Sequence, residues 1–175
     1  RTFLGAEDGS WHYFPQEHAR LLGLAFGAGT FVGVGEKGTI VTSRDGRAWT
    51  ARDAGTDALI VSVDYSQGVF AACTLSNAVL VSADAITWQR HTVGDNRLAG
   101  ITRGGPGFLA WDEKGSVVAS ADGVAWRPAS TGTEPIVQIV TGDGFAVARS
   151  HRTLLASRDG FEWEVPGDPS SAAFP

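Results

Sequence analysis

The sequence predicts an all-β fold made of repeated four-stranded antiparallel sheets. The first observation is a motif, Ser43–Trp49, whose pattern Ser-x-Asp-x-x-x-Trp returns three more times along the chain. The second is that short apolar runs, separated by turns rich in Gly, Asn or charged residues, fill each interval between motifs. A period of 37 to 39 residues that holds four such runs is typical of a propeller blade. We therefore expect a β-propeller.

The motif sets the phase of the repeat. Its aspartates follow one another at intervals of 37, 39, 38 and 37 residues when a degenerate N-terminal copy is included. An Asp side chain at a tight turn accepts hydrogen bonds from backbone N–H groups two and three residues on, so the motif predicts a structural hairpin turn. Ala85 replaces the usual Gly in one copy, and that turn is expected to be strained. The residues assigned to the structural motif are Asp8, Asp45, Trp49, Asp84, Trp88, Asp122, Trp126, Asp159 and Trp163.

Each period predicts four strands, which we term a, b, c and d in chain order, with the motif between c and d. Phe31, Phe70, Phe108 and Phe145 are expected to occupy equivalent positions in strand b. Strand d follows each motif and carries its tryptophan. The runs predicted as strands a, b and c are 21–26, 30–34 and 39–43; 59–65, 69–73 and 78–82; 98–103, 107–111 and 116–120; and 136–141, 144–148 and 153–157.

One propeller domain or segment accounts for the whole chain. Residues 1–15 predict only strands c and d of a half blade, complete blades follow at about 16–52, 53–91, 92–130 and 131–166, and 167–175 form a tail. Three explanations stay open: further propeller sequence, a half blade from a second chain, or a five-bladed ring that closes imperfectly. Because exposed strand edges promote aggregation, the first two are favoured.

Composition limits the classes of function. The 175 residues are 43% hydrophobic, enough for a sizeable core, and the net charge of -5 without a run of basic residues argues against a nucleic-acid or anionic-membrane surface. No apolar run approaches the length of a membrane span. The single cysteine, Cys73, permits no intrachain disulfide and is expected to be a small buried hydrophobe. We expect no metal and no cofactor, and favour the periplasm or the outside of the cell.

The motif copies resemble the Asp-box, or BNR-type, repeat. That repeat usually reads Ser-x-Asp-x-Gly-x-x-Trp, whereas in Ser43–Trp49 the glycine follows the aspartate directly and the motif is one residue shorter. The resemblance covers nearly the whole chain. It implies a propeller similar to those of sialidases, sortilin-type receptors and photosystem II stability/assembly factor-like proteins, a group that includes both enzymes and binding proteins.

Candidate binding residues lie on the connections b–c and d–a, which share one face of a propeller, while the motif hairpins occupy the other face. Trp111 has small counterparts in the other blades and either lines a pocket or fills the core. Asp112 carries a charge that the scaffold does not require, and a solvated turn is the alternative. The candidates are Arg52, His91, Arg97, Trp111, Asp112, Arg149 and His151, with Glu17, His18 and Asp53 beside them.

A non-catalytic binding or scaffold propeller, presenting loops to a protein or glycan partner, is the favoured function. The sequence contains no phosphate loop, nucleophile elbow or zinc-protease motif. The resemblance to sialidases implies an alternative, a glycoside hydrolase or part of one. Such an enzyme needs three convergent arginines, for which Arg52, Arg97 and Arg149 are available, and a nucleophilic tyrosine, for which only Tyr13 and Tyr65 are present. A second alternative is a propeller of the assembly-factor type with a specific protein partner.

Overall fold

The computed structural model describes residues 2–5, 11–14, 20–129, 131, 135–142 and 144–166. Within these ranges every regular element is a β-strand, apart from one 3-10 turn at Glu36–Gly38. None of the described segments forms a helix long and apolar enough to span a bilayer. The predicted all-β fold is therefore confirmed.

Three complete four-stranded antiparallel sheets occupy the centre of the chain, and in each sheet strands adjacent in sequence are adjacent in space. We call them blades 1, 2 and 3. Their strands a, b and c begin and end within two residues of the predicted runs. The strands are β3 (Leu21–Gly27), β4 (Thr30–Gly35), β5 (Ile40–Ser43) and β6 (Thr50–Arg52); β7 (Ile60–Ser66), β8 (Val69–Thr74), β9 (Ala78–Ser82) and β10 (Gln89–Thr92); and β11 (Leu98–Gly104), β12 (Gly107–Asp112), β13 (Val117–Ser120) and β14 (Arg127–Pro128).

Blade 4 has three strands, β15 (Ile136–Gly142), β16 (Phe145–Ser150) and β17 (Leu154–Ser157). In place of its fourth strand, Ala156 and Glu164 exchange two backbone hydrogen bonds of 2.8 and 3.0 Å. At the N-terminus β1 (Thr2–Gly5) pairs with β2 (Trp11–Phe14) in a two-stranded antiparallel sheet, the N-terminal hairpin. The sequence predicts two strands within residues 1–15, and their assignment as strands c and d of a half blade stays a prediction.

The first strands of successive blades contact one another: β3 contacts β7, β7 contacts β11, and β11 contacts β15. Strand a is therefore the innermost strand of each blade, and the blades follow one another around a common axis, as in a β-propeller. Each motif hairpin joins the two outer strands of its blade. The core lies in the seams between blades.

Each seam joins two different blade faces. The leading face of a blade packs against the preceding blade, and the trailing face packs against the following one. In the seam between blades 1 and 2, Val32 and Ile40 of the trailing face meet Val63, Phe70 and Leu80 of the leading face. The other two seams follow the same rule, since Ala71, Cys73 and Val79 meet Leu98, Ile101 and Phe108, and Leu109, Val117 and Ala119 meet Ile136, Ile139 and Trp163.

Cys73 belongs to the trailing face of blade 2 and is 0% exposed. Burial raises the pKa of its thiol to about 12, so the neutral form predominates throughout the physiological range. The prediction of a small buried hydrophobe is confirmed.

Blade 4 departs from the predicted register by one residue. In blades 1 to 3 a phenylalanine of strand b lies opposite the motif serine, as Phe108 lies opposite Ser120. In blade 4 the residue opposite Ser157 is Ala146, so the predicted equivalence of Phe145 is wrong. In blade 3 residues 112–116 separate the paired residues Trp111 and Val117, whereas in blade 4 only residues 150–153 separate the paired residues Arg149 and Leu154. Because a shift of one residue turns a side chain to the opposite face, Phe145 is 46% exposed.

Candidate functional site

The motif turns are held by a serine and an aspartate side chain. In blade 1 the Asp45 carboxylate Oδ1 accepts the backbone N–H groups of Arg47 and Ala48 at 2.8 and 2.9 Å. The Ser43 hydroxyl donates to the same Oδ1 at 3.0 Å and accepts the N–H of Gly46 at 2.9 Å. In the other three blades Asp84, Asp122 and Asp159 likewise accept hydrogen bonds from the backbone N–H groups two and three residues further along the chain. Asp8 lies outside the described residues.

The motif tryptophans complete these turns. In three blades the indole Nε1 donates to the carbonyl oxygen of the motif glycine, at 3.1 Å for Trp49, 2.9 Å for Trp126 and 3.1 Å for Trp163. In blade 2 the glycine is replaced by Ala85, which adopts a φ of 61°, and the buried Nε1 of Trp88 has no hydrogen-bond partner. A non-glycine residue in this left-handed region is strained, so the turn of blade 2 differs from the others in the way its sequence predicts.

The motif hydrogen bonds stabilise the ionised carboxylates. In all four described copies, the backbone N–H three residues after the aspartate is the largest cause that lowers its pKa. For Asp84 the N–H groups of Thr87 and Ile86, followed by the Ser82 hydroxyl, lower the pKa from 3.8 to about 2. The turns therefore retain their ionised form well into the acidic range.

Acid is expected to destabilise the protein through these turns. A carboxyl whose pKa is lower in the folded than in the unfolded state stabilises the fold fully above the unfolded value, and that contribution is lost as the pH falls through the folded value. We expect the thermal midpoint to fall between about pH 4 and pH 2, and Asp84→Asn to reduce the size of that fall. Thermal unfolding followed by circular dichroism at several pH values measures both.

A matched control is Asp95→Asn, because Asp95 is an exposed residue in the connection between blades 2 and 3. This variant should retain the full loss of stability in acid. If Asp84→Asn and Asp95→Asn give the same dependence of the midpoint on pH, the turn carboxylate is not responsible for it.

The connections b–c and d–a lie together on one face, the loop face. The N–H of Gly38 donates to the carbonyl oxygen of Ala58 at 2.9 Å, and the N–H of Glu113 donates to that of Arg97 at 2.9 Å. The motif hairpins and the a–b turns lie together on the other face, the motif face. Gly105, in the a–b turn of blade 3, lies so close to the motif hairpin of blade 4 that an added Cβ would be 2.6 Å from the carbonyl oxygen of Asp159. The division of the connections between two faces agrees with the prediction.

Three of the predicted binding residues, Arg97, Arg149 and His151, are exposed. Arg97 lies in the connection that leads into blade 3, Arg149 lies on β16, and His151 lies in the b–c turn of blade 4. His91, on the outer strand of blade 2, is half-buried, and its buried Nε2 has no hydrogen-bond partner. These four side chains are thus distributed over three blades.

Asp112 holds a turn together. It is only 8% exposed, and its Oδ1 accepts the backbone N–H groups of Lys114 and Ser116, each at 2.9 Å. Its Oδ2 accepts the Asn96 side-chain amide at 2.7 Å, which ties the b–c turn of blade 3 to the preceding d–a connection. The alternative of a solvated turn charge therefore does not describe Asp112.

Trp111 and Arg52 also have structural contacts. The half-buried indole of Trp111 packs against the seam between blades 3 and 4 and covers Gly100, where an added Cβ would lie 2.2 Å from its Cζ2. This position corresponds to core filling, one of the two roles considered for it. The Arg52 Nε donates to the Thr42 hydroxyl at 2.9 Å. Exposed Asp53 accepts the N–H of Gly55 at 2.8 Å, and Glu17 and His18 lie outside the described residues.

Among the residues that the structure describes, no three His, Cys, Asp or Glu side chains are grouped so that they could hold a metal ion. Two polar clefts lie on the motif face. One cleft of about 280 Å³ lies between the motif hairpins of blades 1 and 2 and carries charges of both signs, from Arg44, Arg52, Asp45 and Asp84.

A second cleft of about 240 Å³ lies where the a–b turns of blades 2, 3 and 4 approach the motif hairpin of blade 4. Its walls include the backbone of several glycines, and the side chains of Arg103, Arg158 and Phe145 line it. We call it the glycine–arginine cleft. The Gln67 side-chain amide donates to the Pro106 carbonyl oxygen at 2.7 Å across one wall, and the Asp64 carboxylate accepts the N–H of Arg103 at 2.9 Å.

The sequence did not single out the cleft arginines. Arg103 occupies the position where blades 1, 2 and 4 have Phe26, Tyr65 and Thr141, so the aligned repeats do show that charge at this position is not a scaffold requirement. Arg158 follows the serine of its motif, at the position that Arg44, Ala83 and Ala121 occupy in the other blades. Their proximity depends on the packing of separate blades.

The fold and its repeated hairpins define a β-propeller. No family model matches the sequence, and no curated protein matches it. The solved structure of YCF48 from Cyanidioschyzon merolae is 17% identical with a TM-score of 0.68, over 86% of this chain and 57% of that chain. A structure of YCF48 bound to D1 peptide is 18% identical with a TM-score of 0.65, over 84% and 54%. The computationally designed Ika4 protein is 12% identical with a TM-score of 0.65, over 85% and 96%.

At these identities the likeness establishes the fold alone. The chain corresponds to just over half the length of the two YCF48 chains. The chain is similar to propellers of different length, including a designed one. This is expected if the blade is the unit that is repeated in all of them.

Proposed function

We propose that this chain is a non-catalytic, protein-binding propeller of the assembly-factor type, which holds an extended, carboxylate-bearing segment of its partner in the glycine–arginine cleft. The observation that carries the proposal is the composition of that cleft: Arg103 and Arg158 line it together with exposed Phe145 and a glycine-rich wall. The Asp-box type of repeat, inferred from the serine and aspartate geometry of the turns, is compatible with such a role.

The chemistry of the cleft favours a peptide over a compact apolar ligand. Guanidinium groups pair with carboxylates through two parallel hydrogen bonds, and this geometry distinguishes a carboxylate from a neutral group. Gly144 in the wall has no atom within 4 Å of an added Cβ, so a partner backbone can approach the wall closely there. The volume of about 240 Å³ suits one acidic side chain or a chain terminus rather than a large ligand.

The similar fold of YCF48, for which a complex with D1 peptide is known, supports a peptide partner without identifying it. The exposed side chains of Arg97 and His151 on the loop face, with exposed Arg149 at the adjoining end of strand β16, are proposed as a second contact region, for either a protein or a glycan. Protein partners that span both faces use such separate contacts to increase affinity.

A glycosidase is not proposed. Arg52 lies on the outer strand of blade 1, whereas Arg97 and Arg149 lie beside or within blades 3 and 4. The ring of Tyr65 packs on Phe70 with centroids 4.6 Å apart, in the seam between blades 1 and 2. Within the described ranges, no observation favours a sialidase-type arrangement.

Binding of a labelled pentapeptide of alternating alanine and glutamate, followed by fluorescence anisotropy, tests the proposal. We expect saturable binding that weakens about tenfold in the double variant Arg103→Ala/Arg158→Ala, because two charge-assisted contacts are lost. Higher ionic strength should weaken binding by the parent chain more than binding by this variant.

The matched control is Arg90→Ala/Arg127→Ala, which removes two exposed arginines from the outer strands β10 and β14. It should bind the peptide as the parent chain does. The proposal is wrong if no binding occurs up to about 1 mM peptide, if a peptide with glutamine in place of glutamate binds equally well, or if the control variant loses as much affinity as the cleft variant.

A further inference from the structure

The seam between blades 1 and 2 contains a pair of polar side chains held together by a hydrogen bond. In the strand pairings Thr42 lies opposite Val32. Arg52 lies opposite Ile40. All four side chains therefore belong to the trailing face of blade 1, which packs against blade 2. Thr42 is 4% exposed, and its hydroxyl oxygen accepts the Arg52 Nε–H at 2.9 Å, which holds the guanidinium group in place.

The scaffold does not require hydroxyl groups at this end of the seam. The strand registers show that Thr42 corresponds to Val81 in blade 2 and to Ala119 in blade 3. Thr30, on the same face of blade 1, corresponds to Val69 in blade 2. Val69 and Val81 pack against the core of the seam between blades 2 and 3. Apolar side chains at these positions are thus sufficient for packing two blades together.

The polar side chains of this seam line the cleft of about 280 Å³ between the motif hairpins of blades 1 and 2, which we call the threonine–arginine cleft. Asp45 and Asp84 line it as well. The hydrogen bonds that these two carboxylates accept within their turns all go to Oδ1. Oδ2 of each carboxylate is therefore the oxygen that can accept a hydrogen bond from a ligand.

The charges of the cleft argue against a simple ion as its ligand. Arg44 and Arg52 would repel a cation, and the two aspartates would repel an anion. A hydroxyl group both donates and accepts, so neighbouring hydroxyl groups of one neutral ligand can donate to a carboxylate and accept from a guanidinium group. A zwitterion would lose the hydration of two charges on entry, which is costlier than losing that of hydroxyl groups.

The cleft also has apolar walls. Ala48, Ala85 and Ile86 line it, and Ile86 is 52% exposed. A sugar ring carries hydroxyl groups around its edge and C–H groups on its faces, so it can contact both kinds of wall at once. The volume of about 280 Å³ suits one such ring rather than a longer saccharide.

We propose that the threonine–arginine cleft binds one neutral pyranose ring with neighbouring hydroxyl groups. The two guanidinium groups donate to ring hydroxyl groups, which donate in turn to Oδ2 of the two carboxylates. The hydroxyl group of Thr50, which also lines the cleft, is a further partner. This site is separate from the proposed peptide site, because none of its lining residues lines the glycine–arginine cleft.

Titration of the ¹⁵N-labelled chain with the methyl glycosides of glucose, galactose and mannose, followed by two-dimensional NMR, tests the proposal. We expect saturable shifts with at least one glycoside and a Kd of about 1–10 mM. The amide signals that should shift most belong to N–H groups that donate to the two carboxylates, namely those of Arg47, Ala48, Ile86 and Thr87. The fully O-methylated glycoside, which has no O–H donor, should leave them unchanged.

Arg44→Ala is expected to weaken binding of the glycoside about tenfold, because a charge-assisted contact is lost. The fold should tolerate this change, since blades 2 and 3 have Ala83 and Ala121 at the same position. The matched control is Arg47→Ala, because Arg47 is exposed on the same hairpin and its side chain does not line the cleft. This control should bind the glycoside as the parent chain does, and circular dichroism confirms that both variants are folded.

Several outcomes would overturn the proposal. They are the absence of saturable shifts with every glycoside up to about 100 mM, shifts confined to other parts of the chain, equal affinities of the two arginine variants, and tighter binding of diglycine, a zwitterion, than of any glycoside. The titration of the parent chain locates the ligand without any substitution. Because the glutamate peptide and the glycosides are measured at different residues, the proposed function and this proposal can fail independently.

Discussion

Gly38→Ala is expected to lower the free energy of unfolding by about 3–5 kcal/mol, combining a left-handed backbone with a severe overlap. Gly38 has a φ of +66°, and an added Cβ would lie 1.7 Å from the backbone carbonyl oxygen of Thr56. Because that oxygen belongs to the d–a connection, relief requires the two connections to separate. Separation would stretch the hydrogen bond of 2.9 Å between the Gly38 N–H and the Ala58 carbonyl oxygen.

Gly55→Ala is the matched control for this prediction. Gly55 has a similar φ of +63°, but no atom lies within 4 Å of an added Cβ. Its substitution should cost only the backbone term, about 1 kcal/mol. Urea denaturation of both variants measures the difference, and equal losses of stability would show that the contact between the connections is not rigid.

Phe108→Ala is expected to cost about 3–5 kcal/mol, because it removes a large side chain from a closely packed seam. Phe108 is 0% exposed and contributes to the seam between blades 2 and 3. Phe145→Ala should cost less than about 1 kcal/mol, since Phe145 is 46% exposed and already in partial contact with water. The measurement is again the free energy of unfolding in urea.

This pair of variants also tests the register of blade 4. If Phe145 occupied the position equivalent to Phe108, its replacement would open a cavity of similar size, and the two losses of stability would be alike. Ala146→Ser provides a second reading, because Ala146 is 2% exposed and belongs to the seam, so the added hydroxyl would be buried. A loss of stability in Ala146→Ser greater than that in Phe145→Ala is the expected order.

The strands could be predicted from the sequence because the repeats can be aligned with one another, so the pattern in each blade supports the strands predicted in the others. The motif anchors strands c and d, and its spacing brings the apolar runs of four blades into one alignment. That reasoning failed at Phe145, because the residue lost from blade 4 lies in the b–c turn, between the motif and strand b. An alignment fixed on the motif carries such a deletion into every position before the turn.

The side chains of the candidate site were less predictable, because their roles depend on contacts between segments distant in sequence. Asp112 was a candidate binding residue, but the amide of Asn96 reaches it from the preceding connection. Arg103 and Arg158 were not candidates, and only the approach of blades 3 and 4 brings them to one cleft. A single sequence contains no record of these distances.

The location of the core in the seams has a consequence for sequence variation. Stability is distributed as a series of nearest-neighbour terms, so blade 2 (β7–β10) contributes to two described seams, one with blade 1 and one with blade 3. A substitution on the leading face of blade 2 therefore perturbs its contact with blade 1, whereas a substitution on the trailing face perturbs its contact with blade 3. The two faces of one sheet are consequently constrained by different neighbours.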